Sequence, residues 1–107
     1  MPGAYLIVRA TVADAADRPA FDKWYQTEHL PDAIKAFGAT AAWRGWSQQD
    51  PSVHVAHYRF PSMEAMDTVM NGPIIKGLIA EFDRCWGSRV TRSREILEFA
   101  GELRRPG

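Results

Sequence analysis

The chain has 107 residues, of which 46% are hydrophobic and 24% are charged, and its 13 basic and 13 acidic side chains leave no formal net charge. This length and composition predict a single folded domain over residues 1–107 with a modest core, and they argue against disorder. The balanced charge argues against a nucleic-acid partner, because proteins that bind phosphate backbones carry a basic excess on one face. The densest basic stretch, residues 84–94, is followed by interleaved acidic residues. That pattern is typical of a solvated strand face and a polar tail.

The sequence shows no targeting or membrane-spanning pattern and has a single cysteine. No basic segment precedes an apolar one near the N-terminus, and no apolar run approaches the ~18 residues that a membrane-spanning helix needs. We therefore expect a cytoplasmic protein without a membrane partner. Cys85 is the single cysteine, so no internal disulfide can form. We expect a buried structural thiol at Cys85, because a nucleophilic thiol needs an activating base.

The first predicted element is a strand over Ala4–Val12, in which β-branched and apolar residues alternate between two faces. Both faces carry bulky groups, with Leu6 and Val8 on one and Tyr5 and Ile7 on the other. A strand of this kind is typical of the centre of a sheet that is covered on both sides.

A bent helical region is predicted over residues 18–37. Asp17 is placed to cap its N-terminus, and Pro19 falls near the first turn, where a missing N–H costs nothing. Pro31 is expected to break the helix and change its direction, because proline removes one intrahelical hydrogen bond and its ring clashes with the preceding turn. Gly38 supplies the C-terminal stop.

A hairpin and a second helix follow. Residues 40–47 and 53–60 are predicted strands joined by a polar, turn-forming connector. The second helix begins after the capping residue Ser62, is interrupted at residues 71–73 and resumes as far as Gly87.

The last predicted strand covers residues 89–99, and residues 101–107 form a polar tail. The complete order is strand, helix, strand, strand, helix, strand, which is the ferredoxin-like β-α-β-β-α-β arrangement. The sequence therefore predicts an α+β fold, in which a four-stranded antiparallel sheet carries two bent helices on one face.

The second face of that sheet has no cover within one chain, because two helices cover one face only. Apolar groups are nevertheless expected on this face, from Tyr5, Ile7, Trp43 or Trp46, and Val55 or Tyr58. A second copy of the same sheet is the simplest cover, and most homo-oligomers close with two-fold symmetry. The sequence thus predicts a homodimer.

Three stretches of the sequence resemble the EthD-like families of the dimeric α/β-barrel superfamily. Residues 24–31, Trp-Tyr-Gln-Thr-Glu-His-Leu-Pro, resemble the first-helix signature, an aromatic-rich helix followed by His, an apolar residue and Pro. Residues 60–66 resemble the entry into the second helix, and residues 95–98 the end of the last strand. Together these stretches span most of residues 5–99 in order and spacing. The resemblance implies the fold more than an activity, because monooxygenases, isomerases, cyclases, haem enzymes and proteins with no known role share this scaffold.

His29 is the leading candidate for chemistry. It follows a helical stripe made of Phe21, Trp24, Tyr25 and Glu28. We expect His29 to line a pocket between the bent helix and the sheet, near Tyr25 and at least one tryptophan. A neutral imidazole there takes or gives a proton near pH 7. The alternative is a histidine that caps carbonyl groups at a helix C-terminus, where its partial positive charge is also favourable.

The other two histidines point to opposite faces of the third strand. His54 has the parity of Tyr58, at a position where cyclase-type members of the resembled superfamily carry a histidine. The second histidine of those cyclases is missing here from residues 71–74. His54 is therefore either a substrate contact or an edge histidine that faces solvent. His57 is interpreted as a core or interface histidine, and no two histidines stand at metal-ligand spacing with a carboxylate near by, so no metal is expected.

Together with these residues, the resemblance implies a cofactor-independent enzyme of isomerase, cyclase or monooxygenase type, acting on a small aromatic or cyclic organic compound. No nucleotide-binding or acyl-transfer motif is present, and no organic cofactor is expected. His29 is the expected acid or base, with Tyr25 and Tyr58 as its hydrogen-bonding partners. Substrate contacts are expected from Trp24, Trp46, His54 and Trp86. The alternative is a non-catalytic dimeric module, which binds a ligand or serves as a stress-related accessory protein.

Overall fold

The computed structural model describes residues 3–101, 103, 105 and 106. Its strands are Ala4–Val12 (β1), Ala41–Trp46 (β2), Val53–Phe60 (β3) and Val90–Glu98 (β4). Its helices are Arg18–Trp24 (α1), Leu30–Phe37 (α2), Met63–Met70 (α3) and Pro73–Trp86 (α4), with a π-helical turn at Tyr25–His29 and 3-10 turns at Ala15–Asp17 and Gly87–Arg89. The predicted α+β, ferredoxin-like order is confirmed. Of the predicted tail, residues 102, 104 and 107 lie outside the described residues.

The four strands form one antiparallel sheet in the order β2-β3-β1-β4. The central position of β1 agrees with the sequence prediction. In this register Leu6 lies opposite Tyr58 and Ile96, and Ala10 lies opposite His54 and Arg92. These cross-strand sets point towards the helices, because residues opposite one another share a face of the sheet. The register therefore places side chains from three strands on the helix side.

The core lies between this face and the helices. Its largest fully buried side chains are Tyr25, Tyr58, Phe21, Phe60, Phe82, Leu6, Met66, His54 and Val12. Five of these nine are Tyr or Phe, and Trp86 packs against them at 7% exposure. Rings bury large areas and pack edge to face, so a small domain gains much of its hydrophobic stabilisation from a few aromatic residues.

Local signals account for most of the helix ends. The Ser62 hydroxyl accepts the N–H of Ala65 at 3.0 Å, which confirms the predicted cap. Gly38 ends α2 in the left-handed conformation at φ 65°, again as predicted. Asp17 makes no capping hydrogen bond with its side chain, so that prediction is wrong. The first helical turn begins earlier, at Ala15, where the Asp14 carboxylate accepts the N–H of Ala16 at 2.9 Å.

The predicted break at Pro31 does not occur, because the chain remains helical through this residue. Pro31 lies in the first turn of α2, where a missing N–H is tolerated. The irregularity precedes it: in the π-helical turn the N–H of Leu30 donates to the carbonyl of Tyr25, five residues back. A wider turn of this kind accommodates the proline without interrupting the helix. Leu30 packs inward at 8% exposure, as predicted.

The second face of the sheet carries Trp43 and Val55 beside Tyr5, whereas Trp46 and Tyr58 face the helices. This outcome resolves the two alternatives that the sequence left. Ring contacts organise this outer face: Trp43 stacks on His57 at 5.3 Å and packs edge-on against Tyr5 at 5.2 Å. Trp43 remains 45% exposed, so the outer face presents apolar surface.

Within the described part of the chain, no helix has the length and apolar character needed to cross a membrane.

Candidate active site

A cleft of about 700 Å³ lies on the helix side of the sheet. It is bounded by β1, β3 and β4 of the sheet and by the π-helical turn, α2, α3 and α4. The edge strand β4 is mostly exposed after Val90, so the cleft opens along this edge. Its lining residues are Leu6, Val8, Tyr25, His29, Phe37, Tyr58, Met70, Ile75, Leu78, Ile79, Phe82, Arg92, Ser93, Arg94 and Ile96.

The π-helical turn aims Tyr25 and His29 at the sheet. Phe21, Tyr25 and His29 are buried at intervals of four residues, whereas Glu28 is exposed. The predicted stripe was therefore wrong at Glu28. An interval of four residues is slightly more than one turn of an α-helix and slightly less than one turn of a π-helix. The inserted π-helical turn therefore keeps Phe21, Tyr25 and His29 on the same side of the helix. The irregular turn thus determines which side chains reach the cleft.

Rings enclose the His29 side chain on several sides. Trp24 stacks on the imidazole at 4.8 Å, Tyr25 packs edge-on at 4.9 Å and Phe82 at 5.5 Å. Nδ1 is buried and has no hydrogen-bond partner among the described residues, which leaves Nε2 to meet a molecule in the cleft. The helix continues past His29, so His29 does not cap a helix C-terminus.

Burial keeps the His29 imidazole neutral. It lowers the pKa of His29 from 6.5 to about 4, and the positive charge of Arg92 lowers that pKa further, against the opposing charges of Asp32 and Glu81. Low polarity disfavours the imidazolium, since no hydrogen bond to Nδ1 from the described residues replaces its lost hydration. At pH 7 His29 is therefore a proton acceptor and not a cation.

A pair of phenols forms the polar floor of the cleft. The hydroxyl oxygens of Tyr25 and Tyr58 lie 2.6 Å apart in a buried hydrogen bond. Burial raises the pKa of Tyr25 to about 12 and also raises the pKa of Tyr58, so both hydroxyls stay protonated. Because one hydroxyl donates to the other, the accepting hydroxyl keeps an O–H that can be directed at a ligand.

Two arginines of β4 line the open side of the cleft. The Arg92 guanidinium lies over the Phe82 ring at 3.9 Å, and its Nη2 donates to Asp83 at 2.6 Å. Arg94 follows on the same face of the strand and is exposed. The prediction of a solvated basic strand face was incomplete, because alternation turns these two side chains towards the helices.

A second polar cluster surrounds His54, which is fully buried. The alternative of a solvent-facing edge histidine is thus wrong, since β3 is an interior strand covered by α1. Arg44 Nη1 lies 3.1 Å from His54 Nε2 and 2.9 Å from the Asp22 carboxylate. Trp46 Nε1 donates to the same carboxylate at 2.8 Å. These bonds lower the pKa of Asp22, and burial next to the Arg44 charge lowers the pKa of His54 to about 4.

The predicted site residues divide into two groups. His29, Tyr25 and Tyr58 all line the cleft. The four predicted substrate contacts lie outside its lining: Trp24 stacks behind His29, His54 and Trp46 belong to the second cluster, and Trp86 packs in the core.

Sequence reasoning did not identify Arg44, in the polar cluster around His54, or Arg92, in the cleft lining. Arg44 and Arg92 each have the strand parity of apolar, helix-facing neighbours, and a charged residue at such a position is unusual unless it is paired. This helix-facing parity was the sequence signal that could have identified the two arginines.

The described residues give little support for metal binding or for a nucleophilic thiol. No group of three or more His, Cys, Asp or Glu side chains there is arranged to hold a metal ion. Cys85 is half-buried, and its sulfur lies 3.7 Å from a Glu81 carboxylate oxygen. Burial and this negative charge raise the pKa of Cys85, which is the opposite of what a nucleophilic thiol needs.

Solved structures share this architecture. The chain is similar to a variant of SnoaB, a cofactor-independent oxygenase from Streptomyces nogalater, with a TM-score of 0.71 and 12% identity over 98% of this chain and 100% of that one. It is also similar to an EthD-family protein from Bacillus halodurans (TM-score 0.66, 19% identity, 95% and 99% covered). HapK from Hahella chejuensis aligns with a TM-score of 0.64 and 19% identity, over 97% of this chain and 95% of that one. No protein-family model and no curated protein matches the sequence. The chain therefore has the fold that these solved structures share, an α+β, ferredoxin-like fold with a four-stranded antiparallel sheet.

Proposed function

We propose that this protein is a cofactor-independent enzyme that removes a proton from a small aromatic or cyclic compound. The observation that carries the proposal is the convergence of His29, Tyr25 and Tyr58 on one cleft of about 700 Å³, whose other lining side chains are mostly apolar. Pockets of this size suit ligands of several fused rings. Apolar walls hold a flat ring system, while a few polar groups orient it.

His29 Nε2 is the proposed general base. It takes a proton from an acidic C–H or O–H of the bound compound, which leaves a ligand anion beside an imidazolium. Burial lowers the pKa of His29 to about 4, and a developing ligand anion raises it because opposite charges stabilise each other in a medium of low polarity. The free O–H of the Tyr25–Tyr58 pair donates to a ligand oxygen on which negative charge accumulates.

The ligand anion has two fates in this proposal. Return of the proton to a different atom gives an isomerisation or a ring closure. Addition of dioxygen to the carbanion instead gives a hydroperoxide, which recovers the proton from the imidazolium and loses water to leave a carbonyl. The similarity in fold to a cofactor-independent oxygenase supports including the second route.

Anthrone tests the proposal, because its methylene group is acidified by a carbonyl and two rings and its carbanion reacts directly with dioxygen. We expect the protein to accelerate deuterium exchange at this methylene without air, followed by NMR, and oxygen uptake in air. His29→Ala should lose about 100-fold or more of either rate, as expected for a general base. His57→Gln, on the outer face, is the matched control. Wild-type rates no higher than those of His29→Ala would contradict catalysis.

A non-catalytic ligand-binding role is the second candidate. The observation that favours it is that His29 Nδ1 has no hydrogen-bond partner among the described residues, whereas catalytic imidazoles are usually oriented through that nitrogen. Anthrone that binds to the cleft without exchange or oxidation would support this role.

We further propose that two copies pair through the outer face of the sheet. Trp43 and Leu97 are 45% and 42% exposed there, beside Tyr5 and His57. Exposed apolar area of this kind is costly unless a partner covers it. The cleft lies on the opposite, helix side of the sheet, so pairing leaves the cleft open.

A further inference from the structure

The permanently charged residues that line the cleft are both cations. Of its lining residues, Arg92 and Arg94 carry permanent charge, and the lining contains no aspartate or glutamate. Both arginines lie on the helix side of β4, opposite Ala10 and Val8 of β1. A cleft with two cations on one wall is complementary to a ligand with a single negative group at one end.

Other side chains hold the Arg92 guanidinium in place, and some of its N–H donors make no hydrogen bond within the described residues. Its guanidinium stacks on Phe82, and its side chain is 22% exposed. Nη2 donates to Asp83, whose side chain is 58% exposed. Nε and Nη1 make no hydrogen bond within the described residues and are therefore available to a ligand. Stacking restricts the guanidinium plane in advance, so a ligand loses less side-chain entropy when it binds.

We propose that the cleft takes its substrate as an anion, a small aromatic or cyclic carboxylic acid whose carboxylate binds Arg92, with Arg94 at the rim, and whose ring extends towards His29. This inference rests on the proposed function and specifies its substrate class. A carboxylate fits better than a phenol, because at pH 7 a carboxyl group is ionised whereas an ordinary phenol, with a pKa near ~10, is not.

Substrate charge and base strength are coupled in this arrangement. Arg92 is one of the charges that lower the pKa of His29. A carboxylate on Arg92 offsets this positive charge and lets the pKa of His29 rise, so that His29 becomes a stronger base when the correct substrate is bound. A neutral compound such as anthrone leaves His29 a weaker base, so it should react more slowly than a comparably acidic compound that carries a carboxylate. The cleft thereby selects for acids in catalysis as well as in binding.

Calorimetric titration at pH 7 and low salt tests the inference with naphthoate, naphthamide and naphthol, which share a ring system and differ in charge. We expect naphthoate to bind at least about 10-fold more tightly than the two neutral compounds. Arg92→Gln should weaken naphthoate about 10- to 100-fold, the range for a hydrogen bond to a charged group, and leave naphthamide unchanged. Arg92→Lys should retain part of the preference.

The matched control is Arg84→Gln, which removes an exposed arginine of α4 outside the cleft and should leave naphthoate binding unchanged. Naphthoate affinity is measured without turnover and reports Arg92, whereas anthrone exchange reports His29, so the substrate inference and the catalytic proposal fail separately. Equal affinities of naphthoate and naphthamide for the wild type, or binding of neither, would overturn the inference. An equal loss of both ligands in Arg92→Gln would also overturn it, since Arg92 would then act by packing on Phe82.

Discussion

Arg44 Nη1 lies 3.1 Å from His54 Nε2 in the interior of the domain. A guanidinium can only donate a hydrogen bond, so Nε2 must accept it and the ring proton resides on Nδ1. Nδ1 is itself buried without a partner among the described residues. His54 is thus held as one tautomer of the neutral imidazole, and protonation would place two cations in contact.

This contact predicts an acid-sensitive fold. The pKa values of His29 and His54 are lowered from 6.5 to about 4 in the folded chain, so the unfolded chain binds more protons between these pH values. Stability is then full above pH 6.5 and falls as the pH drops towards 4, by up to roughly 3 kcal/mol per histidine. Urea unfolding at several pH values measures the slope. His54→Gln should reduce it by about half, whereas His57→Gln should reduce it by less, although burial also lowers the pKa of His57. A slope unaffected by His54→Gln would contradict the assignment.

Arg44 should matter more for stability than a surface arginine. Its side chain is 12% exposed and it bonds Asp22, Gln26 and His54. Arg44→Ala leaves His54 Nε2 unpaired, and we expect a loss of about 2–4 kcal/mol in the free energy of unfolding. Arg9→Ala is the matched control: Arg9 forms a half-exposed pair with Glu95 and should cost less than about 1 kcal/mol. Similar losses for the two variants in urea unfolding would contradict this ranking.

The Tyr25–Tyr58 hydrogen bond should be strongly non-additive. Removing one hydroxyl, as Tyr25→Phe or Tyr58→Phe, leaves the other buried and without its 2.6 Å partner, which should cost about 1–3 kcal/mol each. The double variant removes both polar groups, so its loss should be clearly smaller than the sum of the two single losses. Urea unfolding of the four proteins completes the cycle. Strict additivity would indicate that water already satisfies each hydroxyl.

The outer face of the sheet should control assembly. We expect the wild type to sediment as a dimer at micromolar concentration and Trp43→Glu to sediment as a monomer, since a charge placed in an apolar interface loses its hydration. Ile74→Glu is a close control, because Ile74 is also 45% exposed but lies on α4, away from this face. A monomeric wild type of 12.0 kDa would contradict the pairing, as would an unchanged dimer in Trp43→Glu.

Sequence patterns determined the element order and the main features of the sheet. Alternation in Ala4–Val12 placed β1 at its centre, and the turn chemistry at Ser62, residues 71–73 and Gly38 located the helix ends. These signals are local: period, capping and φ preference are properties of a few neighbouring residues. These local signals predict the elements correctly from one sequence because the tertiary structure agrees with them.

Only the tertiary structure decided how the helix passes Pro31 and which polar groups meet. A proline ring predicts a break, but the chain stays helical through Pro31 and the irregularity lies in the π-helical turn at Tyr25–His29. The contacts of Arg44 with His54 and of Arg92 with Phe82 join residues from different elements. Whether such a residue is solvated, paired or left for a ligand depends on strand order and on which face the helices cover. Those are long-range outcomes, and the spacing of residues along the chain does not encode them.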